Sequence, residues 1–184
     1  MKTFALALLA VVVASSAYAE EKSDCLAVGS RVGAFYVTKV FGPSDNAKVG
    51  EKLCYRCRYQ DRPVVSVFVR DVNDEVVDLV KEVDAKVGQN KDAGMAAFVV
   101  LLSENPEADA TKLEQLASKA DVKNVPLTTF DGTSGPQGYK VAEDADYTVM
   151  MWVNSELKVN DTYKKGQLKE QVATVVGKTN SILN

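Results

Sequence analysis

At 184 residues the chain is long enough for one domain with its own core. A formal net charge of −3 with scattered Lys and Arg argues against nucleic acid as a main partner. There is no histidine. That excludes Ser-His-Asp and Cys-His catalytic sets and the usual imidazole metal sites. It also excludes covalent c-type haem, because Arg58 follows Cys57 where that motif needs histidine.

Lys2, the apolar run Phe4 to Val13 and the closing Ala17-Tyr18-Ala19 read as a secretory signal over residues 1–19. The run is too short for a membrane helix, and no later stretch is long enough for one. Cleavage after Ala19 leaves about 165 residues. The expected product is exported, periplasmic or secreted. Cys25 does not directly follow the apolar region, which argues against a lipid-anchored cysteine.

Residues 20–32 read as a loose polar lead, and 33–184 as one domain. Gly33 to Phe41 is rich in β-formers, Gly42 to Asn46 is a turn cluster, and Glu51 to Tyr55 is a second short strand. Together they predict an opening hairpin. Val64 to Val69 is almost continuously apolar, as in a strand buried on both faces. Asp71 or Asn73 then caps a helix whose stripe is Val72, Val76, Leu79, Val80, Val83 and Val87, ending at Gly88. Ala96 to Leu102 is a second buried strand, and Thr111 to Ala120 a second helix. Val125 to Phe130 is extended, and 131–136 is a loop. Tyr147 to Val153 and Leu157 to Asn160 form a hairpin around Asn154-Ser155. Gln167 to Val176 is a closing helix. Strands separated by helices imply right-handed crossovers and a parallel core, with helices on both faces and a late antiparallel edge.

Cys54-Tyr55-Arg56-Cys57 carries the chemistry. Two thiols at this spacing can exchange disulfides, form a staple or share a metal. A Cys54–Cys57 bond closes so short a loop that chain entropy gives about 2 kcal/mol, against about 4 for a bond from Cys25. It is a weak staple, which favours redox use. Three Cys without His cannot complete a zinc site without a carboxylate or a second chain. No metal or other cofactor is called for. Lys52, Arg56, Arg58 and Arg62 supply positive charge that favours a thiolate, and otherwise read as a solvated loop. Only Arg58 to Arg62 precede Pro63, leaving little room for an activating helix. Cys25 is a resolving thiol, a staple or a free thiol.

Other features have plainer readings. Asp71, Asp74, Glu104 and Asp131 near strand ends read as caps and turn residues rather than a carboxylate cluster. Met150, Met151 and Trp152 read as core. Tyr55 and Tyr59 read as hairpin packing or as a client-contact surface.

The element order over residues 33–178 resembles the thioredoxin-like superfamily, within it the redoxin and peroxiredoxin branch. Val64 to Val69 looks like the first central strand of that family. Val125-Pro126-Leu127-Thr128, Tyr139 to Trp152 and Gly166-Gln167-Leu168 look like later landmarks. The resemblance implies an α/β fold: a central mixed sheet flanked by helices, with an N-terminal hairpin extension. Two departures are visible. The family's reactive cysteines follow the first central strand, where this chain reads Arg70-Asp71-Val72-Asn73-Asp74. Its cis-proline lies just before the last central strand, where this chain reads Asp144-Ala145-Asp146. The leading reading is thiol–disulfide exchange through Cys54 and Cys57 with a protein thiol or disulfide client. By family analogy Cys54 attacks, supported by Arg56 and Arg58. The alternative is a non-catalytic protein-binding module with a structural disulfide.

Overall fold

The computed structural model describes residues 25–45 and 47–183. The expected leader, 1–19, lies outside them. The elements are β1 (Val37–Phe41), β2 (Lys52–Leu53), α1 (Tyr55–Tyr59), β3 (Val64–Val69), α2 (Asp74–Gln89), β4 (Ala96–Ser103), α3 (Pro106–Ala120), β5 (Leu127–Asp131), β6 (Tyr147–Val153), β7 (Glu156–Tyr163), α4 (Leu168–Gly177) and α5 (Asn180–Leu183). The strands form one seven-stranded mixed sheet in the order β2-β1-β5-β4-β3-β6-β7. β3, β4 and β5 are parallel; β6 is antiparallel to β3, and β1 to β5.

Both central strands are buried along their whole length because each face of the sheet is covered. Val65, Val67, Val69, Ala97, Val99 and Leu101 point into one core. Val64, Phe68, Ala96, Phe98, Val100 and Leu102 point into the other. The first core receives α2, α3 and α4. Strands β3, β4 and β5 step in one direction through right-handed crossovers, so α2 and α3 fall on one side. α4 packs beside α2 there.

The second face has a thinner cover: α1, the crossing segment 32–36, and the return from β5 to β6, which holds a 3-10 turn at Gln137–Tyr139. Phe35 lies edge-on to Tyr139 with ring centroids 4.6 Å apart, and the Tyr139 hydroxyl donates to the Gly33 carbonyl at 2.8 Å. Helices thus flank both faces, as element order implies, but unequally.

Three expectations change in detail. The opening hairpin is shorter than expected, because 33–36 cross the sheet instead of pairing. α3 starts at Pro106, not Thr111: proline is tolerated in a first helical turn, and Glu107 and Asp109 complement its free amides. The described part of the lead is not loose. Val32 is buried, and Gly29 and Val32 donate to the Leu157 and Ser155 carbonyls at 2.8 and 2.9 Å.

Candidate functional site

The two cysteines are held by α1. Cys54 leaves the edge strand β2 in extended geometry and becomes the helix N-cap; its Sγ accepts from the Cys57 amide at 3.1 Å. The Arg58 amide donates to the Cys54 carbonyl, and Gln60 ends the helix with φ +49°. Tyr55 and Tyr59, four apart, share the face turned to the sheet. Tyr55 is 1 % exposed and stacks on Phe98 at 5.5 Å between centroids. The Tyr59 hydroxyl donates to the Ala97 carbonyl at 3.4 Å, and the Arg62 guanidinium lies over its ring at 5.1 Å. Both tyrosines are therefore packing residues. Burial pushes both hydroxyls well above the ordinary tyrosine value, with the Asp45 charge adding to it.

Cys54 and Cys57 are joined as a disulfide, with 5.3 Å between Cα atoms. The expected lack of helical support is overturned: the motif begins a five-residue helix. Five residues are too few to show a helical period in the sequence. Residues two apart on a helix point about 200° away from each other. Cys57 therefore faces away from the sheet and is exposed, whereas Cys54 is 6 % exposed. The family analogy that made Cys54 the attacking thiol does not match this orientation.

The arginines serve another purpose than the one expected. Arg56 donates through Nε to the Val32 carbonyl at 3.2 Å and through Nη2 to the Ser155 hydroxyl at 2.6 Å. Arg58 donates to the Asp45 carbonyl at 2.8 Å and lies 4.0 Å from its carboxylate. Arg62 donates to the Gly94 and Met95 carbonyls. All three tie α1 to surrounding loops, while Lys52, Arg58 and Arg62 stay exposed to solvent as a solvated run would be. Val32, Ser155 and Asp45 escaped sequence reading because they are distant in the chain.

Asp45 also meets Lys39, which is 2 % exposed. The Lys39 ammonium donates to the Pro43 carbonyl at 2.6 Å, Asp45 Oδ1 at 2.7 Å and the Ala47 carbonyl at 3.1 Å. Burial alone would raise the Asp45 carboxyl, but Lys39 and the Ala47 amide outweigh it and hold it below the usual value of 3.8. A depressed folded value means this pairing stabilises the loop fully above the ordinary carboxylate range. That contribution fades as pH falls through the depressed value. Proteolysis of the 42–50 loop is therefore expected to accelerate at acid pH before the sheet unfolds. An Asp45→Asn chain should show neither that pH step nor the neutral-pH protection.

Where the fold usually keeps its thiols, this chain closes the position with other groups. Arg70, just after β3, donates to the Ala145 and Ala142 carbonyls at 2.8 and 2.9 Å and to that of Thr133. Asn73 caps α2 and donates to the Tyr147 hydroxyl at 2.6 Å. No cis peptide bond occurs among the described residues. Of the acidic residues at strand ends, Asp71 faces Lys165 and Asp74 faces Lys119, whereas Glu104 and Asp131 line one surface cavity with Glu107. Among the described residues no group of three potential ligands could hold a metal. Met150, Met151 and Trp152 are fully buried. Cys25 is a half-buried free thiol lining a cavity with Gly135, Pro136 and Val141. The carbonyl of its neighbour Leu26 accepts from Asn160 of β7. No helix among the described residues is long and apolar enough to cross a membrane.

No family model and no curated protein matches the chain. Solved structures do. A putative protein disulfide isomerase from Bacteroides thetaiotaomicron aligns with TM-score 0.63 and 15% identity over 86% of this chain and 91% of that one. Mycobacterium tuberculosis AhpC aligns with TM-score 0.65 and 12% identity over 87% and 99%. A putative thiol:disulfide interchange protein DsbE from Chlorobium tepidum aligns with TM-score 0.60 and 10% identity over 86% and 99%. Agreement of this extent at such low identity is agreement of fold, and with the strand order around β3 it makes this a thioredoxin-like fold.

Proposed function

We propose that this chain is an exported thiol–disulfide exchange protein acting on protein clients through Cys54 and Cys57, after removal of a leader ending near Ala19. The observation that carries the reading is the asymmetric pair: a short-loop disulfide with one exposed and one buried member. A client thiolate attacks Cys57 Sγ, forming a client–Cys57 bond as the Cys54–Cys57 bond breaks. The electron pair leaves on Cys54 Sγ, which already accepts the Cys57 amide. A second client thiol, as thiolate, then attacks its own sulfur in the mixed disulfide and releases Cys57. The client becomes oxidised and Cys54/Cys57 reduced; the reverse sequence reduces a client disulfide.

The test is the potential of the pair. The chain is equilibrated in graded thiol buffers, alkylated and mapped by mass spectrometry, with Cys25 followed separately. A bond that opens reversibly between about −120 and −270 mV is expected. A bond that stays closed below about −300 mV would instead support a structural staple in a protein-binding module. One observation favours that second reading: Arg56, Arg58 and Arg62 fasten α1 to its surroundings as a packed structural element. Its own check is a folded Cys54→Ser/Cys57→Ser chain that keeps partner binding.

A further inference from the structure

We propose that residues 26–32 form a strap on the outer edge of β7 whose hold is set by the redox state of Cys54–Cys57 and transmitted by Arg56. It rests on the reducible disulfide of the proposed function, but not on any client. The strap is bonded by backbone: Gly29 donates to the Leu157 carbonyl at 2.8 Å, Leu157 to the Ser30 carbonyl at 2.9 Å, and Val32 to the Ser155 carbonyl at 2.9 Å. Asn160 adds a side-chain bond to the Leu26 carbonyl at 2.8 Å. Arg56 is the link. It lies between the two cysteines, and its guanidinium bridges the strap at Val32 to the β6–β7 turn at Ser155.

The differential between states comes from the helix. Five residues are too few to hold a helix by their own hydrogen bonds. The disulfide, the two tyrosines and the bonds of Arg58 and Arg62 hold α1 instead. A dithiol reductant adds two electrons and two protons: the S–S bond breaks, two thiols form, and the reductant closes its own disulfide. The turn carrying Arg56 then regains conformational freedom, and gripping Val32 and Ser155 requires re-ordering it. The loop-closure entropy of so short a ring bounds the coupling at about 20-fold in the strap's opening equilibrium. Opening bares the Leu157 N–H and carbonyl on the β7 edge, groups an extended segment of another chain could pair with.

The test is amide exchange on the mature chain, oxidised and then reduced with dithiothreitol. The Gly29, Val32 and Leu157 amides are expected to exchange several-fold faster after reduction, by no more than about 20-fold. The Val65 to Val69 amides should not change. Oxidised Arg56→Gln should already show the fast rate, and reduction should add nothing. Equal strap protection in both states would overturn the proposal. So would an oxidised Arg56→Gln strap as protected as the wild type, or a loss spread equally to Val65–Val69. If dithiothreitol fails to open the disulfide, the redox reading fails. The Cys54→Ser/Cys57→Ser chain then supplies the open ring, and the same amides still decide the coupling.

Discussion

With Cys54 replaced by serine, Cys57 is expected to react with an aromatic disulfide at least about tenfold faster than Cys54 does in the Cys57→Ser chain. In each case the free thiolate attacks one reagent sulfur and expels an aromatic thiolate, whose absorbance gives the rate. A Cys25→Ser background removes the third thiol from the signal. The cause of the difference is access. Tyr55 and Tyr59 anchor one face of α1 to Phe98, which turns Cys57 outward and leaves Cys54 6 % exposed at the buried start of the helix. Apolar burial also works against a thiolate on Cys54, while the Cys57 amide works for it. The same asymmetry predicts that Cys54→Ser traps clients as stable mixed disulfides and Cys57→Ser does not. Equal rates, or a faster Cys54, would remove the case for Cys57 as the point of client attack.

Asp84→Ala is expected to cost about 4 kcal/mol of stability, read from the urea midpoint at unchanged slope. Asp84 is 5 % exposed on α2. Its Oδ1 accepts from the Lys123, Asn124 and Val125 amides at 3.1, 2.7 and 3.0 Å, and its Oδ2 from Asn124 Nδ2 at 3.0 Å. Truncation strands the buried Val125 amide outright and leaves the partly buried Asn124 donors to compete for water. The segment they belong to links α3 to β5, and β5 in turn holds the β1–β2 hairpin from which α1 departs. Asp84→Asn keeps an acceptor oxygen and should lose less than half as much. A loss below about 1 kcal/mol for Asp84→Ala would show that the segment is satisfied without the carboxylate.

Some of this was legible in the residue order and some was not. Strands β3 and β4 announce themselves because a strand covered on both faces has no polar side to alternate with. The α2 stripe reads clearly because sixteen residues give several turns of period 3.6. α1 falls below that threshold. A helix of little more than one turn has no period to detect, and it forms because Tyr55 and Tyr59 find Phe98.

The thioredoxin-like order of strands and helices, the Cys54-Tyr55-Arg56-Cys57 motif and the absence of thiols after the first central strand are all readable in the chain. These depend on local pattern and chain order alone. The fold decided which cysteine faces outward, which carbonyls hold Arg56 and Arg58, and that residues 26–32 lie along β7. Those depend on contacts between residues far apart in the chain, such as Arg56 with Ser155, whose pairing exists only once the sheet has brought them together.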